Sequence, residues 1–249
     1  MLNQLRRGLA PLAVLLCAAA VHAQTVDEII EKNIAATGGR AALEKVASRV
    51  TTGTITVSTP GGDITGSIEV YNKAPNKART LIQIDASQFN LGKIVQDQRF
   101  NGTAGYAIDS LNGNREMTGD QVELAKASTF PTPLLRYKER GIKIELAGRE
   151  KVGERDAYVL RIAPPAGPPA RMFIDADTYL VVKTVVTVNA PQVGDVEQTQ
   201  LVSDYRDVNG VKVPFEVRSV NQFQTLVIRV AKVDDNVDID EKMFSKPAE

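Results

Sequence analysis

The chain has 249 residues, and its 30 basic residues balance its 30 acidic ones, so the formal net charge at pH 7 is zero. This balance provides no basic surface to attract nucleic acid or an anionic membrane, and we expect no nucleic-acid partner. Aromatic residues make up only 5% of the chain and tryptophan is absent, which disfavours a sugar cleft lined with aromatic rings.

The first 23 residues have the order of a secretory signal peptide. Arg6 and Arg7 form a basic start, an apolar run extends from Leu9 to Val21, and Ala23 provides a small residue just before Gln24. The run is about 13 residues long, which is fewer than the roughly 20 that a membrane-spanning helix needs. We therefore expect cleavage after Ala23 and export of the mature chain to the periplasm.

Cleavage would remove the only cysteine, Cys17, and the only histidine, His22. Lipid anchoring at Cys17 is not favoured, because lipoprotein processing requires a small residue at the position that Leu16 occupies. Without thiol or imidazole, the mature chain has no disulfide, no Ser-His-Asp or Cys-His catalysis and no His/Cys zinc site. The sequence predicts a protein that is not an enzyme, with no catalytic residue and no cofactor; carboxylate catalysis remains a third possibility.

Alternating acidic and amide residues near the C-terminus resemble the start of a calcium-binding loop. The sixth position of such a loop should be glycine and is Ile239, and the twelfth should be glutamate and is Ser245. We therefore predict no metal site here. The alternating residues are Asp234, Asn236, Asp238 and Asp240.

The mature chain is predicted to begin with a helix and to continue with strands. Apolar residues recur at helical spacing from Thr25 to Thr37, Gly38-Gly39 form a stop signal, and Arg40 to Val46 can add a turn or two. The period then changes to two, with turn signals at Pro60-Gly61-Gly62-Asp63 and Asn101-Gly102. Consecutive strands without room for crossover helices predict an antiparallel meander. The five strands lie near residues 50–58, 63–72, 77–86, 91–98 and 100–109.

An insertion at about residues 118–139, which we call the lid insertion, interrupts the strands. A helix is predicted from Thr118 to Ala127 with Thr118 as its N-cap, and Pro131-Thr132-Pro133 leads into an apolar turn from Leu134 to Tyr137. No low-complexity linker follows, so we interpret residues 24–249 as one domain. Further strands are predicted near residues 141–151, 156–163, 170–175, 179–189, 195–206, 211–221 and 223–234.

Several strands have one apolar face, as where Leu160 and Ile162 alternate with Arg161. Such a face must be covered, either by curling of the sheet or by helices lying in its concavity. The first helix and the lid insertion are the candidate covers. The predicted fold is mainly β (α+β), with a large curved antiparallel sheet forming an unclosed β-barrel. An apolar space of lipid size could remain inside, although a fully packed core fits the alternation equally well.

Three stretches resemble the LolA/LolB-like superfamily, which includes periplasmic carriers of outer-membrane lipoproteins. The first is a hairpin from Phe173 to Lys183, and the second is a turn with a Pro-containing return strand from Asp204 to Phe215. The third is the start of the mature chain, where the opening helix is followed by Gly38-Gly39-Arg40 and by Ala42 to Val46. The resemblance implies an unclosed barrel with a helical lid over an apolar cavity. The superfamily also contains sensor domains and lipid-binding proteins, so the fold does not settle the cargo.

The resemblance also implies an arginine inside the cavity. Arg79, Arg99 and Arg136 are the candidates in this sequence, and a solvated surface position is the alternative for each of them.

The leading functional hypothesis is a periplasmic carrier that binds lipoprotein acyl chains or another lipid, with an envelope membrane protein as a candidate second partner. The alternative is an envelope interaction or sensor module without a ligand cavity. Opening of the lid insertion at Pro131 and Pro133 would admit the cargo. The candidate cavity-wall residues, for each of which ordinary core packing is the alternative, are Tyr106, Ile108, Phe130, Leu134, Leu135, Tyr137, Leu160, Ile162, Met172, Ile174 and Val182.

Overall fold

The computed structural model describes residues 24–59, 61–190 and 194–247. The expected signal peptide with Cys17 and His22, and Pro60 of the first turn signal, lie outside the described residues. Within the described ranges, no helix has the length and apolar character needed to cross a membrane.

The first helix has well-defined ends. Helix α1 spans Val26–Thr37, and Thr25 caps it in a reciprocal pair: the Thr25 hydroxyl accepts from the Glu28 amide, and the Glu28 carboxylate accepts from the Thr25 amide. Gly38 ends the helix at φ 132°, a conformation that side chains disfavour. A one-turn helix α2, Arg40–Glu44, follows as predicted. The buried side chains of α1, including Ile29, Ile30 and Ile34, point to one side.

Thirteen strands form one antiparallel sheet, which confirms the mainly β fold. The sheet is not closed: β6 and β7 are its two edges, and the spatial order is β6-β5-β4-β3-β2-β1-β13-β12-β11-β10-β9-β8-β7. Consecutive strands therefore pair with each other everywhere except between β6 and β7, and a nonlocal pairing joins β1 to β13. The strands are β1 Ser48–Thr59, β2 Gly62–Lys73, β3 Lys77–Asp85, β4 Lys93–Phe100, β5 Gly105–Asp109, β6 Arg115–Glu116, β7 Lys143–Val152, β8 Arg155–Ala163, β9 Ala170–Asp175, β10 Val181–Ala190, β11 Gly194–Val208, β12 Val211–Val220 and β13 Thr225–Asp235.

The lid insertion connects the two edges of this sheet. Its helix α3 spans Asp120–Ala127, and Gly119, not Thr118, occupies the N-cap position at φ 57° without a side-chain cap. The N-cap prediction was therefore wrong, because the backbone enters the helix through a positive-φ residue that glycine tolerates best. The apolar stretch after Pro133 is a series of turns and not a regular helix.

Two apolar clusters lie on the face of the sheet that α1 and the lid insertion cover. The larger one joins α1, α2 and the lid insertion to β7, β8, β9 and β12, with Leu160 and Ile174 fully buried. The second lies on β1 to β4 around Ile55 and Ile68. A smaller cluster around Val159 and Phe173 occupies the opposite face of β8 to β10, since adjacent residues of a strand point to opposite faces. The covered face is thus the main core.

Candidate functional site

The curvature of the sheet follows from the residues that share one cavity. Gln98 on β4 and Gln198 on β11 both line a cavity of 460 Å³, although their strands are six positions apart in the sheet. In a flat sheet that separation would be about 29 Å, at 4.8 Å per strand. The sheet therefore curls around its covered face, and α3 lies across the concavity.

We name this first space the amide cavity, because glutamine side chains from three elements reach it: Gln98 from β4, Gln121 from α3 and Gln198 from β11. The Gln198 amide donates to the Ser219 hydroxyl at 2.8 Å. The remaining wall is mixed in polarity. It is formed by Asn76, Ala78, Thr80, Arg99, Phe100, Ala107, Arg115, Met117, Leu124, Ala125 and Ser128.

A second space of 370 Å³, the apolar cavity, adjoins the amide cavity and shares Leu124, Ser128 and Gln198 with it. Its volume corresponds to roughly a dozen water molecules at about 30 Å³ each. Its wall has no charged residue among those described and is mostly apolar. The other lining residues are Ala127, Pro133, Ile142, Ile162, Pro164, Pro168, Ala170, Met172, Thr184, Val186 and Gln200.

A third space of 360 Å³ lies on the other side of Ser128, beside Phe130 and Pro131 of the lid insertion. It shares Asn76, Ala78 and Ser128 with the amide cavity. Its walls include Val70 of β2, Val213 of β12 and Val230 of β13. The three spaces therefore adjoin one another along the residues of the lid insertion from 124 to 133.

Hydrogen bonds hold the second half of the lid insertion, from Phe130 to Lys138. The Phe130 amide donates to the Pro75 carbonyl at 2.9 Å, and Arg40 of α2 donates to the Leu135 carbonyl at 3.0 Å. Asp27 of α1 accepts from the Tyr137 hydroxyl and, at 2.7 Å, from Lys138. Bonds from Lys138 and Tyr137 hold the pKa of Asp27 below its usual value, so this carboxylate is ionised at neutral pH.

The two halves of the lid insertion differ in burial. Leu134 and Leu135 are 1% and 8% exposed and belong to the main core. Helix α3 has no buried residue. The second half is thus part of the folded core, whereas α3 rests on it.

Eight of the eleven candidate wall residues come together in the main core. Six of them are buried there, and Phe130 and Tyr137 pack against them half-buried. Ile162 and Met172 also line the apolar cavity, and Phe130 lines the third space. The buried six are Leu134, Leu135, Leu160, Ile162, Met172 and Ile174.

The other three candidates lie elsewhere. Tyr106 and Ile108 line a separate cleft with Lys246 and Pro247 of the C-terminal segment, on the face of β5 opposite to Ala107. Val182 lies beside a register shift between Val181 and Lys183 and packs with the Val159–Phe173 cluster. Alternation identifies an apolar face but does not say which face is concave.

The arginine candidates do not lie inside the concavity with a free guanidinium. Arg79 and Arg99 both bind Asp97, at 2.8 and 2.7 Å, on the face opposite to the lid insertion. Arg136 is exposed near Asp27. Arg79 and Arg99 also contact Met243 and the Ser245 carbonyl, so they hold the C-terminal segment against the outer face.

The sequence pattern did not identify the glutamines of the amide cavity, although for Gln198 a signal was available. Val196, Gln198, Gln200 and Val202 occupy alternate positions of β11 and therefore share one face. Gln198 and Gln200 are flanked by Val196 and Val202 on this face, and this pattern predicts a polar patch within an otherwise apolar wall.

The described residues that line the three cavities include no histidine, cysteine, aspartate or glutamate. Among the residues that the structure describes, no group of three or more His, Cys, Asp or Glu side chains could hold a metal ion. The three cavities offer amides, hydroxyls, guanidinium groups and apolar surface. Such walls can bind and orient a ligand.

No protein-family model matches the chain, and no curated protein does. Solved structures do. A LolA superfamily protein from Nitrosomonas europaea superposes with a TM-score of 0.56 at 14% identity, covering 90% of this chain and 99% of that one. A putative outer membrane lipoprotein-sorting protein domain from Vibrio parahaemolyticus gives 0.54 at 10% identity, covering 87% and 94%.

The chain has a LolA-like fold. A DUF1329 family protein from Desulfovibrio piger shares it, with a TM-score of 0.56 at 14% identity and coverage of 90% and 98%. At these identities the likeness concerns the fold alone. The resemblance drawn from the sequence is confirmed at that level.

Proposed function

We propose that this protein is a non-catalytic carrier of the cell envelope that binds a lipid or a lipoprotein acyl chain between the curved sheet and the lid insertion. The observation that carries the proposal is the apolar cavity, which lies under α3 and is walled by Ile162 and Met172. Burial of a chain there would contribute about 0.8 kcal/mol per methylene removed from water. The LolA-like fold and the lipoprotein-sorting neighbour support the same class of function.

Location in the periplasm is part of the proposal. It rests on the signal peptide expected in residues 1–23 and agrees with the LolA-like fold. The lack of catalysis is also proposed, because imidazole and thiol would leave with that peptide.

In this proposal, the ligand enters when α3 moves away from the cavity. This helix covers the apolar cavity through Leu124 and Ala127, and it has no buried residue to hold it down. The segment from Leu134 onward stays in place because its side chains belong to the core. Pro131 and Pro133 lie at the boundary between the two parts.

The direct test is native mass spectrometry, with lipid extraction, on protein purified from the envelope. Co-purified acyl lipids or lipopeptides, and uptake of a fluorescent fatty acid by the delipidated protein, are expected. A clean apo mass together with no uptake would contradict the carrier and favour the interaction module.

Two neighbouring residues of β10 provide a matched pair of variants. Val186 lines the apolar cavity, whereas Thr187 is exposed on the other face of the same strand. V186R places a charge in the cavity and is expected to weaken fatty-acid uptake at least tenfold. T187R adds the same charge outside and should bind like the parent. Equal binding by both variants would show that the chain binds elsewhere.

A further inference from the structure

The two largest adjoining spaces under α3 differ in chemistry. The apolar cavity has no charged residue among the described residues that line it, whereas the amide cavity has three glutamines and Arg115. They meet at Leu124, Ser128 and Gln198. One continuous space thus has an apolar end and a polar end, which matches a ligand with a chain and a head group.

The polar end has unused hydrogen-bonding capacity. Gln198 is held by Ser219, but the Gln98 and Gln121 amides make no hydrogen bond to any other described residue. Both side chains are exposed, so a ligand can reach them. They approach from opposite walls, one from β4 and one from α3, and each can offer two N–H groups.

Charge in the cavity walls has one sign. The charged residues among the described lining of the three spaces are Arg49, Lys77, Arg99 and Arg115, and no aspartate or glutamate lines them. The guanidinium of Arg99 binds Asp97 on the opposite face of the sheet. The first three cations are compensated by short ion pairs of 2.6, 2.5 and 2.7 Å.

Arg115 differs from the other three cations. Among the described residues it pairs with Asp109 alone, at 3.8 Å, and 43% of its side chain is exposed. Its charge is therefore the least compensated in the cavity walls. A guanidinium that is partly solvated and loosely paired can turn toward a second oxygen anion and bind it through two N–H groups.

We propose that the ligand is an amphiphile with an anionic oxygen head group, such as a carboxylate or a phosphate ester, which Arg115, Gln98 and Gln121 bind in the amide cavity while the chain fills the apolar cavity. This inference rests on the proposed carrier function and adds the chemistry of the head group. A cationic head finds no carboxylate among the described wall residues and is repelled by Arg115, and an uncharged head loses the charge interaction with Arg115.

The test compares three fluorescent probes that share one acyl chain and end in a carboxylate, a primary alcohol or a primary amine. The parent protein is expected to bind the carboxylate about tenfold more tightly than the alcohol, and the amine most weakly. The carboxylate preference should shrink as salt is added, since a partly exposed charge pair is screened. Excess inorganic phosphate should not displace the probe, because it lacks a chain.

Arg115→Gln should bring the carboxylate affinity down to that of the alcohol and leave the alcohol unchanged. Arg161→Gln is the matched control, because Arg161 is exposed on the strand face opposite to Leu160 and Ile162, and it should keep the parent preference. Equal binding of all three probes by the parent, or a preference for the amine, would overturn the head-group assignment while leaving the carrier intact. Failure of every probe to bind would instead refute the carrier.

Discussion

Replacement of Asp97 by asparagine tests the ion network on the outer face of the sheet. Asp97 is 4% exposed and accepts four hydrogen bonds. Two come from Arg79 Nε and Nη2, both at 2.8 Å, and two from Arg99 Nε and Nη2 at 3.1 and 2.7 Å. The two arginine side chains are only 11% and 15% exposed. D97N therefore leaves two nearly buried guanidinium groups without their anion.

The cost can be estimated from these contacts. Removing one partner of a buried ion pair costs about 3–5 kcal/mol. Asparagine keeps one acceptor oxygen and Arg99 retains the Ser245 carbonyl, so we expect the lower end, about 3 kcal/mol. For a chain of this size, 1 kcal/mol corresponds to about 2–4 °C in Tm. The Tm of D97N should therefore fall by about 6–12 °C.

The same network predicts a pH dependence. Burial of Asp97 opposes its ionisation, but hydrogen bonds and charge from Arg79 and Arg99 outweigh that effect, so its pKa lies below the ordinary 3.8. A carboxyl whose pKa is lowered by folding stabilises the protein above its unfolded pKa, and that stabilisation is lost as pH falls through the folded pKa. Asp97 should thus contribute fully above about pH 5 and progressively less below 3.8.

The assay is thermal unfolding of parent and variant from pH 7 down to pH 3. Asp204→Asn is the control, because Asp204 makes a similar pair with Arg206 on the surface, with side chains 46% and 57% exposed. D204N should unfold like the parent, whereas the deficit of D97N should narrow at the acid end. A D97N protein with the Tm of D204N at pH 7 would refute the assigned role of this network.

Three further changes test other parts of the fold. Leu160→Ala removes a fully buried side chain from the main core and should cost about 2–5 kcal/mol in urea unfolding. Thr25→Ala removes the hydroxyl that caps α1 and should cost about 1 kcal/mol. Glu241→Gln removes the carboxylate that bridges Lys73 and Lys77, whose hydrogen bonds hold its pKa at about 2. The amide protection factors of residues 239–245 should then fall, and those of the parent should fall in the same way as pH decreases from 4.5 toward 2.

The elements that local chemistry determines were predictable from the sequence. The helix of Val26–Thr37 follows from apolar spacing and the Gly38 stop, and both are observed. The Asn101-Gly102 turn joins β4 to β5, with the Asn101 side chain accepting from the Thr103 and Ala104 amides. Period-two alternation located the strands because each side of the sheet has a different environment.

What escaped prediction depends on contacts between distant parts of the chain. The pairing of β1 with β13 joins two strands that are far apart in the sequence, and no local pattern specifies it. Which face of the sheet is concave decides that Tyr106 lies outside the cavities. The register shift between Val181 and Lys183 decides the face on which Val182 lies. The approach of Gln98 to Gln198 arises from the same curvature.

The connectivity of the lid insertion gives a last prediction about its motion. Because it links the two edges β6 and β7, α3 can leave the concavity without breaking any hydrogen bond between strands. Opening would break the bond from Arg140 to the Lys126 carbonyl and the contacts of half-buried side chains. If the turn after Pro133 opened as well, Leu134 and Leu135 would become exposed to water. That exposure would cost about 1.5–3 kcal/mol of free energy for each side chain.

Amide hydrogen exchange of the whole protein should therefore separate the two halves of the lid insertion. The Ser128 amide, bonded to the Leu124 carbonyl, should exchange faster than the Ile142 amide, bonded to the Tyr137 carbonyl, although the two bonds have the same length of 2.9 Å. A bound fatty acid should slow the first and leave the second unchanged, since only α3 has to close over it. Equal protection of both amides in the free protein would mean that the lid insertion moves as one unit or not at all, and α3 would then not be the entrance.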